Sequence, residues 1–399
     1  MLTIKSLETT SHKALQTGGL KRIGILTFGL LLTAGLTACN NVPDVIKIGV
    51  AQPLTGNIAA LGTDMLNGVK LAVDEINKQG LKVKGKSVTL EVVAVDDRAN
   101  PDTGKEVAKQ LVDAAVVAVV GHLNSGVSIA AAPTYAAANI AQLAISTNPK
   151  YTELGFPTTF RIVANDTLQA KAIGSYAANQ LSAAKYATAD DGTTYGKGLA
   201  AGASAQLVLA KKTVVFHQTF DDKTTAFADF AKKLRENEVT VLITTLNDFQ
   251  ILALLEELKK IDYIKNISLM GGDTIKTALM LKAAGMGAAG IYVSSPITDA
   301  GELVAGKEFL SKYQVAYKTE PAYAAHYAYD ATYAIVASIK RAESANPAKI
   351  TAALHKIDAY APVTGSMKFD EKGEQRYGAI GIYKLGAAKW EPQIRSDAW

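Results

Sequence analysis

Four short polar stretches hold the groups in this chain best suited to gripping a small charged molecule. Gly121-His122-Leu123-Asn124-Ser125-Gly126 offers a hydroxyl and successive backbone N–H groups, an arrangement that meets an anion at a helix start. Ser146-Thr147-Asn148-Pro149 sets two hydroxyls beside a turn. Thr245-Leu246-Asn247-Asp248 is a third polar segment, and in Gly271-Gly272-Asp273 two glycines, which permit close approach, precede a single acid. Tyr195 stands on a loop entering the segment at Gly196. Hydroxyls and amides on one side could receive a carboxylate, while Asp273 opposite could receive an ammonium. Charge-assisted bonds contribute roughly 1.5–3 kcal/mol each, so four or five support micromolar binding after ordering costs. Taken singly, Ser125, Thr147 and Asp273 fit equally as helix caps, and Tyr195 as loop packing. Their joint placement after strands favours a site.

Other chemistries find little support. The sequence contains no G-x-x-x-x-G-K-[ST] loop, no G-x-S-x-G elbow and no H-E-x-x-H. Gly196-Lys197-Gly198 with Ala201 imitates part of a dinucleotide fingerprint, but no acid ends the next strand. His12, His122, His217, His326 and His355 are scattered and read as packing or surface residues, not a metal cluster. Basic residues are dispersed, with no aromatic-basic platform for nucleic acid. These patterns predict a non-enzyme with no cofactor and no metal.

The candidate residues must be held by strands and helices in alternation. Val45–Gln52 is a β-branched run read as a buried strand, and Met65, Leu66, Val69, Val73 and Ile76 follow at helical spacing. Further strands are expected at 88–95, 116–121, 143–146, 185–189, 213–217, 239–244 and 267–271. Helices are expected at 101–114, from about 128, from 166, after 196, at 225–236 and at 248–260. This order argues for parallel sheets with helices on both faces. Extended stretches at 156–161 and 292–296 interrupt it. Beyond the second, helices at 303–317, 322–341 and 349–356 precede a hairpin-like tail, 366–370 and 379–384. Two lobes without one clean linker imply a chain that crosses between them more than once, which makes a hinge.

The N-terminus reads as an export signal: basic Lys13, Lys21 and Arg22, an apolar run from Ile23 to Leu32, then Leu36-Thr37-Ala38-Cys39. Cys39 is the chain's one cysteine, and Leu-Thr-Ala-Cys resembles the bacterial lipobox, after which the cysteine is lipidated. Removal of 1–38 takes away Lys5, Lys13, Lys21, Arg22 and Glu8, bringing the formal charge from +5 to about +2. The remaining chain has no second cysteine, so it can form no internal disulfide and must be stabilised by packing.

At this level of detail the chain resembles the leucine/isoleucine/valine-type periplasmic binding proteins, the extracytoplasmic receptors of ABC importers. The likeness runs from about Ile46 to Tyr383. It rests on IGVAQPLTGNIAALG (48–62), NGVKLAVDEIN (67–77), VAVDDRANP (93–101), VVGHLNSGVS (119–128), ISTNP (145–149), FRIVANDTLQ (160–169), TYGKGLA (194–200) and FDEKGE (369–374). The resemblance implies an α/β type I periplasmic binding protein fold: two doubly wound parallel-sheet lobes joined by a three-crossover hinge, with ligand gripped between them. By position it implies that the Ser125 hydroxyl and amide bind a ligand carboxylate, with Ile145, Ser146 and Thr147 as further contacts on the same lobe. Tyr195 would cover the ligand, Asp273 would hold its α-ammonium, and Asn247 falls near an aromatic contact of the family. Leu61 takes a place often aromatic in the side-chain pocket. A disulfide of some relatives is excluded by Ala99 and Asn124.

The resulting expectation is a signal peptide at 1–38, a tether at 39–43, a first lobe at 44–163 plus 296–360, and a second at 164–295 plus 361–399. The chain would be a lipid-anchored monomer in the periplasm or at the cell surface. It would capture a small aliphatic, branched-chain amino acid and present it to an ABC permease and its ATPase. Two alternatives stay open: another small ligand (an amide, urea or an aromatic acid), or a ligand-responsive sensor of the same fold.

Overall fold

Alternating runs of β-branched and helix-forming residues close into two sheets, each covered by helices on both faces. The computed structural model describes residues 42–181, 185–358 and 361–395. The expected signal segment and Cys39 lie outside the described residues. The first sheet is built from β1 (Val45–Gln52), β2 (Leu81–Val83), β3 (Lys86–Asp96), β4 (Ala118–Gly121), β5 (Ala141–Ala144) and β6 (Thr159–Arg161), in the order β2-β3-β1-β4-β5-β6. All its pairings are parallel except β2 with β3. The second contains β7 (Tyr186–Asp190), β8 (Val214–Thr219), β9 (Val241–Thr244), β10 (Ser268–Gly271), β11 (Gly290–Ser295), β12 (Gly381–Leu385) and β13 (Trp390–Arg395), ordered β13-β12-β11-β10-β9-β7-β8. The helices are α1 (Ala59–Gln79), α2 (Pro101–Asp113), α3 (Ser125–Ala137), α4 (Lys150–Glu153), α5 (Asp166–Gln180), α6 (Thr194–Leu209), α7 (Ala228–Glu236), α8 (Asp248–Lys260), α9 (Gly306–Tyr317), α10 (Ala325–Ala342) and α11 (Pro347–Leu354).

Each sheet buries apolar side chains on both faces, as parallel sheets require. In the first lobe, Ile46, Ile48 and Val50 of β1 pack with Met65 and Val69 of α1 and Ile335 and Ile339 of α10. The opposite face packs Val119 against Leu111 of α2 and Tyr135 of α3. In the second lobe, Leu242 and Leu269 meet Leu234 and Leu254 from α7 and α8. Ile243 and Met270 meet Ile173 and Leu199 from α5 and α6. Caps start several helices: Asn100 accepts from Asp102 and Thr103 N–H with Pro101 at the first turn, and Thr193 accepts from Gly196 N–H at 2.9 Å.

The chain passes between lobes three times, after β6, after β11, and between Phe369 and Ile380. Met367 and Phe369 still belong to the first core, while Ile380 and Ile382 belong to the second. That last passage falls later than the expected residue 361. It lies hard against the first: Arg161 N–H donates to Gly373 O at 2.8 Å. Gly373 has φ 82°, and a Cβ there would sit 1.9 Å from Thr159 O, so a glycine is needed. The expected tail hairpin is corrected. Residues 366–370 make only a single bridge, Phe369 to Gln375, and the true hairpin is β12–β13. The proline at the centre of β13 (WEPQIR), which demotes an otherwise alternating run, hid this half-exposed edge strand.

One buried acid fixes the entry to α10. Asp64 on α1, 2 % exposed, accepts the N–H groups of Ala322, Tyr323, Ala324 and Ala325 at 2.8–2.9 Å and the Tyr313 hydroxyl at 2.8 Å. Two of these N–H groups, at Ala324 and Ala325, are donors of the helix start and two belong to the turn leading into it, all met by a carboxylate from a neighbouring helix. The two helices come this close at Gly68, where a Cβ would lie 2.0 Å from Ala325 O. Asp64→Ala is therefore expected to lower stability by about 2 kcal/mol, read as a lower urea midpoint at unchanged slope.

Candidate ligand-binding cleft

The carboxyl ends of the two sheets face one another across a cleft of about 660 Å³. Loops after β1, β3, β4 and β5 form one wall, and loops after β7, β8, β9 and β10 form the other. This is where open α/β sheets collect ligands, because helix N-termini converge there.

On the first wall, Ser125 opens α3, one turn earlier than expected, and lines the cleft. Asn148 N–H donates to its hydroxyl at 3.3 Å. Val127 and Ser128 N–H both turn back to Asn124 O, leaving the first N–H groups of the helix facing outward. Thr147 and Ile145 line the cleft beside it. Ser146 does not: its hydroxyl contacts Ser128 Oγ at 2.5 Å and reaches His122 O and Leu123 O at 3.2 Å. The strand ends at Ala144, two residues before the expected end, so Ser146 belongs to the following loop, which turns its hydroxyl into the interior. It braces the loop instead of meeting the cleft.

Behind this wall stand two buried polar assemblies. His122, fully buried, pairs through Nδ1 with Asp97 Oδ2 at 2.7 Å and through Nε2 with the Tyr135 hydroxyl at 3.2 Å. Arg161, also fully buried, pairs with Glu374 at 3.0 Å and donates to Asn148 O at 2.9 Å, Thr152 Oγ1 at 3.1 Å and Ser146 O. The polar loop 145–148 is thus fastened to a cation that is itself fastened to the third lobe crossing.

On the second wall, Asp273 is 3 % exposed and lines the cleft. Its Oδ1 accepts from Gln169 Nε2 at 2.8 Å and from the Tyr195 hydroxyl at 2.9 Å, and its Oδ2 accepts from the Tyr323 hydroxyl. A carboxylate has about four lone-pair sites, so acceptor capacity remains on Oδ2. Burial, then the charge of Asp273, pushes both tyrosine hydroxyls well above their usual range, so they stay donors. Gly272 makes room for Tyr195, not for a ligand: a Cβ there would lie 2.1 Å from the Tyr195 hydroxyl. Asn247 also lines the cleft and donates to Asp191 Oδ2 at 3.3 Å while receiving support from Gln250. Burial pushes the Asp191 carboxyl up to about 6, with Asp190 and Asp222 adding to it.

The bonds that join the two sides of the cleft include Tyr323, carried by the first lobe, to Asp273, Asn148 Nδ2 to Thr194 O at 2.9 Å, and Asp166 N–H to Thr147 O at 2.8 Å. Leu61, Ile58, Leu123 and Phe249 supply an apolar part of the lining. Asn124 Oδ1 and Thr274 Oγ1, at the cleft, are buried without a partner. Among the described residues no group of three His, Cys, Asp or Glu could hold a metal. Among them, too, no helix is long and apolar enough to cross a membrane.

The structure brings Ser125, Ile145, Thr147, Tyr195, Asn247, Asp273 and Leu61 to one cleft and leaves Ser146 behind it. Sequence reasoning missed Tyr323, Phe249 and the pair Asp166 and Gln169. Tyr323 precedes a helix, not a strand's end, so inspecting strand ends could not find it. Phe249 lies one residue beyond the polar segment read as the end of its strand. Asp166 and Gln169 stand three apart at the start of α5, a spacing that places both on one helical face.

A pair of doubly wound lobes gripping one polar-ended, apolar-centred cleft defines a two-lobed solute-binding protein. The chain belongs to the periplasmic binding protein family, which it matches over residues 45–389. It is 27% identical to the Leu/Ile/Val-binding protein homolog 1 of Brucella abortus, over 85% of this chain and 90% of that one. The crystal structure of the branched-chain amino acid transporter substrate-binding protein LivJ from Streptococcus pneumoniae, in complex with isoleucine, superposes with a TM-score of 0.77 at 25% identity, covering 88% of this chain and 99% of that one. A solute-binding protein of an ABC transporter from Rhodopseudomonas palustris, in complex with 3,4-dihydroxybenzoic acid, shares the fold at TM-score 0.77 and 21% identity, covering 88% of this chain and 97% of that one.

Proposed function

We propose that the protein captures a small α-amino acid with an aliphatic, branched side chain and delivers it to an ABC permease and its ATPase. The observation that carries this reading is the opposition of charge preferences across one cleft. Outward N–H groups at Ser125, beside Thr147, suit a carboxylate, and Asp273 on the facing wall suits an ammonium. Between them, Leu61, Ile58, Leu123 and Phe249 offer apolar surface to a side chain. Tyr195 and Tyr323 hold the Asp273 carboxylate in place and cover the gap from both lobes. Export and lipidation at Cys39 would keep the receptor beside its permease.

Ligand bridging both walls stabilises the closed arrangement, a population shift that needs no covalent step. A ligand without the ammonium would leave Asp273 facing an unneutralised carboxylate, which argues against simple aromatic acids. A thermal-shift panel tests the reading. L-leucine, L-isoleucine or L-valine at 100 times its Kd stabilises by about 2.7 kcal/mol, whereas benzoate and urea do not. A panel in which benzoate alone shifts the transition would overturn it.

A further inference from the structure

Beneath the floor of the cleft, Asp166 is a carboxyl with no apparent structural work. It is 3 % exposed, and neither of its oxygens has a hydrogen-bond partner among the described residues. It does not cap its own helix, because Asn165 Oδ1 takes the N–H groups of Thr167 and Leu168. Its backbone N–H donates to Thr147 O at 2.8 Å, which places it directly behind a cleft residue. One turn along the same face, Gln169 donates to Asp273 while its own Oε1 is buried and unpartnered. Gln169 thus links the helix face that carries Asp166 to Asp273, and three buried acceptor oxygens on that face are left unpartnered, which is costly.

We propose that Asp166, buried and unpartnered behind the cleft, retains its proton until the cation of a bound amino acid arrives beside Asp273 and displaces it. This rests on the reading of the cleft as an amino-acid site. Asp166 acts through Asp273 and is a positioning residue. Two carboxyls in a desolvated site cannot both ionise without a cation nearby. The charged and titratable groups facing Asp166 are Asp273, Tyr195, Tyr323 and Arg161. Arg161 does not relieve it, since its guanidinium is engaged by Glu374. Thr147 leans toward Asp166 and favours its ionised form without completing a hydrogen bond. Burial, then the charge of Asp273, pushes the Asp166 carboxyl up to about 7.

The sign of the linkage follows. The folded value lies above the usual 3.8, so the folded chain holds an extra proton between about pH 4 and 7. Stability from this group is present below that window and is lost as pH rises through it. Asp166→Asn, which cannot ionise, is expected to melt higher than the native protein at pH 8 and to match it near pH 4. A gap of equal size at both pH values would overturn the retained proton. The second arm is calorimetry with L-leucine in two buffers of different ionisation heat. Close to one proton should be released per leucine at pH 6 and almost none at pH 8.5. Affinity should fall roughly tenfold per pH unit below 7, and Asp166→Asn should flatten that profile. Leucine binding with identical heats in both buffers overturns the proposal while sparing the function. Failure of L-leucine to bind, with the pH-dependent melting gap intact, overturns the amino-acid reading and supports the retained proton on Asp166.

Discussion

Asp273→Asn is expected to weaken L-leucine binding by about 10- to 100-fold. The amide keeps an oxygen that accepts from Gln169 and Tyr195, and the Tyr323 hydroxyl can turn to accept from the new NH₂. What vanishes is the negative charge. A hydrogen bond to a charged group contributes roughly 1.5–3 kcal/mol, which converts to that loss of affinity. Isothermal calorimetry measures it directly. Unchanged affinity would remove Asp273 from ligand contact and leave its three donors as a purely structural cluster.

Arg161→Met is expected to cost about 3–5 kcal/mol of stability, the largest effect of any single change considered. Removing one partner of a buried ion pair leaves the other uncompensated. Here the loss strands Glu374, whose side chain is only 20% exposed, together with the carbonyls of Ser146 and Asn148. The same cation fastens the 145–148 loop to the third lobe crossing, so binding should fall with stability. The double variant Arg161→Met with Glu374→Leu should recover most of the stability, since a well-packed apolar pair can replace a buried ionic one. Urea unfolding of the three proteins decides this. A single variant within 1 kcal/mol of the native protein would show that the pair contributes little.

The alternation of strands and helices was legible because β-branched runs and 3.6-residue periodicity survive burial on both sheet faces. Ser125, Thr147 and Asp273 were legible for a related reason: in a doubly wound sheet, the residue after a strand points into the cleft wherever the strand ends. Ser146 shows the limit of that rule: once the strand ends at Ala144 the alternation no longer governs, and the hydroxyl is turned inward by its bonds to Ser128 Oγ and His122 O. Tyr323 was illegible because its position depends on Asp64, a residue 259 positions earlier that gathers the start of α10. Glu374 was likewise hidden: its partner Arg161 lies 213 residues away, and no local pattern links them. The tail was misread because β13 is a short edge strand interrupted by Pro392, so its alternation does not read as a strand.

The most direct test of a zwitterion held between opposed walls compares three ligands that share one side chain. L-leucine, L-leucinamide and 4-methylpentanoate differ only in the charged ends that the cleft is argued to recognise. Calorimetry on the ligand-stripped protein at pH 7.5 should give micromolar binding for L-leucine and at least tenfold weaker binding for each of the others. If 4-methylpentanoate bound as tightly as L-leucine, Asp273 would have no cation to hold, and the account of the cleft would be contradicted.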